Sequence, residues 1–597
     1  EFRSVGLRDS AETNDVLYAS IKSLSTLHSP LSTLLRLRMV FPALYLLGFS
    51  GDAVPADPNA PFIDRTRALG IDFLHQNGAS AQKHLVETMG SGCALLDYDG
   101  DGRLDVLLIN GGRTPDSPPF EPRSHALYRN LGGGRLQEAT PEAGLEPTAD
   151  YGMGVAVGDY DNDGDPDLYL TNFGPNRLYR NNGDGTFSDV TGRAGVAGAE
   201  WSTSAAFFDY DGDGAADLYV VNYLDATFER NPPCEMKGIR AYCHPRHYAG
   251  VADRLYRNLG GGRFRDVSRS SGILNPEGKG LGVVAADFDQ DGWVDLYVAN
   301  DSVRNFLFRN NRDGTFADIT LLSGTGYNSQ AQAEAGMGVD AADYDGDRLL
   351  DIVVTNYDLE TNALYRYQGN WLFGDERWRS GLARKDRFLL GFGAGFLDFD
   401  NDGDRDLLVV NGHVVDNIER IQPDLSHSQP DQLFENRGGR FLEHEPFYRW
   451  SARQARVGRG AALGDIDNDG DIDVLISNCG AEPALLLNRV GARRNWIQLR
   501  LAGTDSSRDA VGTRLTLTTA AGRQTDQVTG GGSYLSAGDP RAHFGLGEAA
   551  RVEEIRIRWP SGKEEVLTDI PANRILQVTE GRASEYSTAP SPPPQAE

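Results

Sequence analysis

The apolar and polar positions of this chain fall into short runs of period two. Gly154-Val155-Ala156-Val157-Gly158 alternates small and apolar positions, and Leu168-Tyr169-Leu170 follows after a polar break. The same kind of run recurs at Leu218-Tyr219-Val220 and Ile352-Val353-Val354. Segments of about five residues, rich in β-branched and aromatic types, predict β-strands. The polar break between the two strands of each pair has one pattern, D-x-D-x-D-G-x-x-D, which predicts a hairpin connection.

That loop occurs seven times. Its acidic sets are Asp97, Asp99, Asp101 and Asp105; then Asp159, Asp161, Asp163 and Asp167, with Asp165 also acidic; then Asp209, Asp211, Asp213 and Asp217. The later sets are Asp287, Asp289, Asp291 and Asp295; Asp343, Asp345, Asp347 and Asp351; Asp398, Asp400, Asp402 and Asp406; and Asp465, Asp467, Asp469 and Asp473. Position 6 is Gly in every copy except the fifth, which has Arg348. Asn follows at position 14 throughout, from Asn110 to Asn478. A side-chain amide that bonds nearby backbone suits a strand-ending turn, so this Asn reads as structural.

A second element repeats downstream of each loop. It is clearest at Leu127-Tyr128-Arg129-Asn130, Leu178-Tyr179-Arg180-Asn181, Leu255-Tyr256-Arg257-Asn258 and Leu307-Phe308-Arg309-Asn310. Weaker copies stand at Leu364-Tyr365-Arg366, Leu433-Phe434-Glu435-Asn436 and Leu485-Leu486-Leu487-Asn488. A Gly-rich turn and another short strand come next in the better copies. Each repeat therefore offers about four strands, and the loops begin 62, 50, 78, 56, 55 and 67 residues apart. Four strands per repeat with no helical periodicity predict an all-β fold, a seven-bladed β-propeller over residues 57–490. The longest gap holds an insertion from Tyr223 to Asp253, and a second variable stretch runs from His413 to Gln432. Insertions of this kind land on one face of a propeller and are expected to form a binding surface.

After Asn488 the repeat stops. Trp496-Ile497-Gln498-Leu499-Arg500-Leu501 and Ile555-Arg556-Ile557-Arg558-Trp559 alternate again, separated by turns such as Gly530-Gly531-Gly532. Residues 491–581 are thus expected to form a second, small β-sandwich-like domain. The Ser- and Pro-rich residues 582–597 are expected to be disordered. Residues 1–38 carry no assignable pattern. A basic flank and a short apolar run, closed by small residues, read as a secretory signal over 39–56.

Four carboxylates within nine residues repel one another unless a cation lies between them. Oxygen-only donors at alternating positions suit a hard cation, Ca²⁺ above all, giving about seven sites. By analogy with other calcium loops, the position-7 carbonyl, Arg103 in the first copy, is a further expected ligand. An EF-hand is excluded, since it requires Glu at position 12. That position is Leu108, Leu170, Val220, Val298, Val354, Val409 and Ile476 here. The repeated Asp residues, four in each of seven copies, match in number the formal net charge of −28. Such a surface argues against nucleic acid and anionic membranes as partners, and no apolar run is long enough for a stable membrane span.

Four cysteines do not make a disulfide scaffold. Cys234 and Cys243 share one insertion and are read as a disulfide in preference to zinc ligation with His244 and His247, whose spacing fits no standard finger. Cys93 and Cys479 flank the first and last loops and would be neighbours in a closed ring.

The loops resemble FG-GAP/VCBS repeats, the type also seen in integrin α-subunit propellers. The C-terminal stretch resembles the ASPIC/UnbV domain, on Asn495-Trp496-Ile497, Arg508-Asp509-Ala510-Val511-Gly512-Thr513-Arg514, Gly530-Gly531-Gly532-Ser533-Tyr534-Leu535-Ser536, His543-Phe544-Gly545-Leu546-Gly547 and Trp559-Pro560-Ser561-Gly562. The arrangement is similar to the cartilage acidic protein family and its bacterial relatives. That resemblance implies a secreted, calcium-binding protein, extracellular or periplasmic, with a protein or glycan ligand. The alternative reading is an enzyme acting on a glycan or small molecule at the propeller funnel. Its candidate groups are His75, His84, His413, Glu87 and Glu334, without a nucleophile motif or phosphate loop to support them.

Overall fold

The computed structural model describes residues 60–118, 125–145 and 150–588. The expected secretory segment at 39–56 lies outside the described residues. Among the described residues each repeat contributes to one antiparallel sheet of a ring of seven, four-stranded except for the fourth, which has five strands. In the first, Cys93–Leu96 is innermost, followed outward by Asp105–Leu108, Ala126–Asn130 and Leu136–Glu138. The inner strands of the next six are Gly152–Gly158, Ser202–Phe208, Gly280–Ala286, Val339–Ala342, Gly391–Leu397 and Gly458–Gly464. Each inner strand adjoins the next, and the seventh adjoins the first. This is a β-propeller.

The ring is closed by strand exchange between its ends. Phe62–Asp64 pairs with Ala484–Asn488, Phe62 opposite Asn488, so the first described strand supplies the outer edge of the last sheet. The apolar alternation explains the layering. Leu107 and Leu127 pack between the first and second sheets with Leu168 and Leu170, while Val106 and Tyr128 face the seventh sheet with Leu475 and Leu485. Both faces of each sheet are buried, as stacked repeats require.

The C-terminal part forms two further sheets. One orders Ala542–Gly547, Asn495–Ala502, Ile575–Thr579 and Ser587–Thr588, and the other Gly522–Gln527, Arg514–Thr519, Arg551–Arg558 and Glu564–Pro571. They share a core of Leu499, Leu515, Ile555 and Trp559 that runs on into Phe208, Tyr210 and Leu296 of the ring. Ring and C-terminal sheets thus form one compact unit. Of the stretch expected to be disordered from residue 582, residues 582–588 are described and pack on the core. Ala583 is buried and Ser587 pairs with Gln577, so the apolar Ala583 and Tyr586 hold this stretch on the core.

A segment of the C-terminal part enters the central channel of the ring. Gly530 and Gly531 pair with Ala285 and Val284, adding a fifth strand to the fourth sheet. Ser533 then bridges to Val339 and Ala537 to Ala94. The Leu535 carbonyl accepts from Val155 N–H at 3.0 Å, and Ser204 Oγ accepts from Leu535 N–H at 3.1 Å. Tyr534 is fully buried, donating its hydroxyl to the Met89 carbonyl at 2.8 Å and packing edge-on against Phe392. The inner strands are glycine-rich where this segment passes. A Cβ at Gly92 would overlap the Leu535 carbonyl, and one at Gly460 would overlap Ser536 Oγ.

The opposite mouth is capped by the two variable stretches. Cys234–Met236 and Ile239–Ala241 form a hairpin within the first insertion. Ala241 packs with Val415, Ile418, Ile421 and Leu425 of the second. Asn417 Nδ2 donates to the Arg240 carbonyl, and Lys237 Nζ to that of Ile421, each at 2.9 Å. The insertions therefore bury their apolar residues on each other. Cys234 and Cys243 are joined by a disulfide, which leaves no thiolate there for zinc. Cys93 and Cys479 are free thiols. No helix among the described residues is long and apolar enough to cross a membrane.

Tyr534→Ala should cost about 3–5 kcal/mol, as for other large buried aromatics, whereas Tyr534→Phe should cost about 1 kcal/mol for the lost hydrogen bond. Denaturant melts followed by near-UV circular dichroism check both. Equal stability of the alanine variant and the parent would contradict the placement of this segment in the channel.

Candidate metal centres

Every acidic loop joins the inner and second strands of its sheet, so all seven open on one face of the ring. Each folds by the same hydrogen bonds. The first Asp accepts from the backbone N–H of position 6: Gly102 to Asp97 at 3.0 Å, Gly164 to Asp159 at 2.7 Å, and likewise in the other five. The third Asp accepts from the N–H of position 7, as Arg103 to Asp101 at 3.0 Å and Asp165 to Asp163 at 3.1 Å. Position 6 is left-handed in all copies, from φ 73° at Arg348 to φ 102° at Gly164. Only glycine adopts that conformation without strain.

The fourth Asp has a second task. One oxygen accepts from the N–H of position 2, Tyr98 to Asp105 and Tyr160 to Asp167 at 3.1 Å each. The other accepts from the end of the third strand, Asn130 N–H to Asp105 at 2.7 Å and Asn181 N–H to Asp167 at 2.8 Å. This Asp ties the loop to its own sheet.

The donor set fits a hard cation. Carboxylate oxygens of Asp97, Asp99 and Asp101 lie within 4.8 Å of one another, as do those of Asp159, Asp161 and Asp167, and of Asp209, Asp211 and Asp217. The same holds for Asp287, Asp289 and Asp291 and for Asp343, Asp345 and Asp347. Oxygens about 2.3–2.6 Å from one Ca²⁺ would be spaced in this way. Several are buried without a hydrogen-bond partner: one oxygen each of Asp97, Asp161, Asp211, Asp289 and Asp343. A buried bare carboxylate oxygen is costly unless a cation faces it. The electrostatics agree. Burial first, and neighbouring carboxylates second among the raising influences, push Asp105 up to about 8, Asp167 and Asp351 to about 9, and Asp159 and Asp287 to about 7.

Arginines of the repeated third strand offset part of this charge. Arg129 pairs with Asp99, Arg366 with Asp345 and Asp347, and Arg257 with Asp211 at 2.7 Å. In the sixth repeat, which has Glu435 at that position, Arg494 pairs with Asp400 at 2.7 Å. Sequence reasoning saw the recurring Arg but gave it no role; its constant place before the closing Asn of the repeated Leu-Tyr-Arg-Asn element was the available signal.

The Asn that ends this strand was also missed. Asn181 Nδ2 donates to the Pro166 carbonyl of its own loop at 3.2 Å and to the Tyr98 carbonyl of the preceding loop at 2.8 Å. Asn258, Asn310, Asn436 and Asn488 repeat this double contact, and Asn130 reaches Ile466 across the closure of the ring. The fifth repeat has Tyr367 instead, stacked on Phe373. The position-14 Asn works locally: Asn222 Nδ2, for example, donates to the Ala252 carbonyl at 2.9 Å.

C-terminal side chains reach these loops directly. Arg500 Nη1 lies 3.1 Å from Asp97 Oδ2, Gln498 Nε2 donates to Asp465 at 2.8 Å and Thr525 Oγ1 to Asp343 at 2.9 Å. Asp509 accepts from Asp159 N–H at 2.8 Å and Gln527 from Asp287 N–H at 2.9 Å.

The candidate catalytic groups are scattered. His75 is buried between the backbone nitrogens of Gly111 and Gly480, and burial followed by the Arg459 charge lowers it to about 3. His84 meets Asp116 at 2.9 Å, and His413 meets Asp358 at 3.3 Å. Glu87 accepts from Ser80 and from Tyr242, and Glu334 forms a two-point ion pair with Arg377 at 2.9 and 2.8 Å. No hydrogen bond joins any two of these five among the described residues. The channel of the funnel reading is occupied by Tyr534, Leu535 and Ser536.

A family model described as FG-GAP-like repeat matches residues 97–170, 159–220, 248–298, 287–354, 343–409 and 398–476. One described as ASPIC and UnbV matches residues 503–585, which include the segment in the channel. Cartilage acidic protein 1 of Xenopus tropicalis is 26% identical over 528 residues, 84% of this chain and 75% of that protein. The Mus musculus protein of that name is 26% identical over 561 residues, 88% and 77% of the two chains. Among solved structures, the BP39L lectin from Burkholderia pseudomallei aligns at 10% identity and a TM-score of 0.40, over 68% of this chain and 97% of that one.

Two substitutions test the loop geometry. Arg348→Gly should stabilise the protein by about 1 kcal/mol, because Arg348 holds a left-handed φ of 73°. Asn181→Ala removes a donor from two carbonyls and should cost about 2–3 kcal/mol. Urea melts give both signs, and a stabilising Asn181→Ala would overturn the role assigned to it.

Proposed function

We propose, since this chain belongs to the FG-GAP-like repeat family, that it works as a secreted, calcium-clipped propeller that binds an extracellular protein or glycan. The observation that carries the calcium reading is the set of buried carboxylate oxygens without partners, recurring at position 1 or 3 of the loops around one face. Asp at positions 1, 3, 5 and 9 of each loop, with the position-7 carbonyl such as that of Arg103, would hold one ion. Ca²⁺ supplies the positive charge that cancels carboxylate repulsion, and its role here is structural. The chain's own residues do the rest: the left-handed position 6 turns the loop back, and the fourth Asp anchors it to the third strand. The export reading rests on the apolar run at 39–56 and on the affinity range of extracellular calcium modules, roughly 0.1–1 mM.

The C-terminal sheets stand on the same face and touch Asp97, Asp343 and Asp465. Calcium would therefore hold the C-terminal part in place as well as the ring. At ten times the dissociation constant, each filled site adds about 1.4 kcal/mol.

Chelation should lower the melting temperature by roughly 10 °C or more, since several sites act together. It should also speed proteolysis between the last ring strand and the C-terminal sheets. Differential scanning calorimetry with and without chelator, followed by limited proteolysis, checks both. An unchanged melt and digest would contradict the proposal.

A further inference from the structure

The fifth repeat departs most from the others, with Arg348 for Gly and Tyr367 for Asn, and beside it lies an open cleft of about 220 Å³. A cleft of that size holds several waters, the scale of one sugar ring with its hydroxyls. Trp378 lines it and is 59% exposed. All seven tryptophans lie among the described residues, and of them Trp378 alone is exposed. The remaining walls are polar and rich in uncharged groups: Asn328, Gln330, Gln332 and Thr361.

The walls are held rigidly. Arg377 spends its guanidinium on Glu334 and on Asp375 at 2.9 Å, so it forms a neutralised floor. Asn328 fixes its own loop by accepting from Gln330 and Gln332 N–H, each at 3.0 Å, and donates to Glu334 at 3.1 Å. Glu360 stands between two residues with left-handed backbone, Leu359 at φ 71° and the β-branched Thr361 at φ 70°. Strain of that kind persists where the surroundings fix a side chain for a purpose. Glu334, Glu360 and Asp375 match or exceed Arg377 and Arg387 in charge whether or not Glu360 holds its proton, which disfavours an anionic ligand.

We infer that this cleft is a binding site for an uncharged glycan, stacking one sugar ring on Trp378 and bonding its hydroxyls to the amide-lined wall. An indole face matches the apolar face of a pyranose, and amides supply both donors and acceptors to hydroxyl groups. Burial, with the Glu334 and Asp301 charges adding to it, pushes Glu360 up to about 7, so near neutral pH its carboxyl both accepts and donates. The inference deepens the binding-protein reading and rests on it, giving that protein a ligand class; it does not depend on calcium.

The test uses the full chain with Ca²⁺ present. Its probes are uncharged disaccharides of glucose, galactose, mannose and N-acetylglucosamine, with a glucuronic acid disaccharide as the anionic control. Binding is read by saturation-transfer NMR and by tryptophan fluorescence. At least one uncharged probe should bind, and Trp378→Ala should weaken it tenfold or more, with Trp378→Phe retaining part of the affinity. The melting temperature and calcium titration of both variants should match the parent, which separates failure here from failure of the calcium reading. No binding by any uncharged probe, binding by the anionic control alone, or undiminished binding by Trp378→Ala would each overturn the inference.

Discussion

The structure depends on the crowding of carboxylates along one face of a closed ring. Each loop brings four Asp side chains together because its backbone turns through a left-handed residue and is pinned by the first and third Asp. Burial pushes the fourth carboxylate of the loop, such as Asp167 and Asp351, well above its ordinary pKa, and the arginines of the third strand offset only part of the charge. A divalent cation bound there would remove the remaining cost and leave the hydrogen bonds intact. The loop can then serve as the rivet between neighbouring sheets, since Asn181 and its equivalents hang on the carbonyls of two adjacent loops.

The second constraint is the filling of the channel. A ring of sheets leaves an axial hole whose inner-strand backbone needs partners. Here the C-terminal part supplies them, through Gly530 to Ala537, while the two insertions close the other mouth. Arg459 is buried in this region, donating to the carbonyls of Thr88, Gly412 and Gly458 and resting over Phe392 at 3.9 Å. A funnel site for catalysis would need that space. The cleft beside Trp378, at the rim of the fifth sheet, is a polar concavity outside that channel.

Much of this was legible in the sequence, for physical reasons. Strand positions, the hairpin loops and the ring followed from period-two runs and a loop whose spacing recurs. The disulfide partners were close in sequence, and Cys234 and Cys243 are bonded. Long-range contacts were not legible. Nothing in Gly530-Gly531-Gly532-Ser533-Tyr534 says that a turn between two strands will enter a channel formed some 240 residues earlier. The insertions were read as an open binding surface, yet their apolar residues Ala241, Ile418 and Ile421 meet each other. The bridging Asn of the third strand was visible as a repeat, but its partners lie on the neighbouring sheet, where a local reading does not reach.

The central claim is that the loops hold calcium, and its most direct test is calorimetric titration of chelator-treated protein with Ca²⁺. The account predicts about seven ions per chain, one per loop, with affinities that fall when the first Asp of a loop, such as Asp159, is replaced by Ala. No heat of binding under conditions where the protein is folded would contradict it, and the crowded carboxylates would then have to be held by arginine and protons alone.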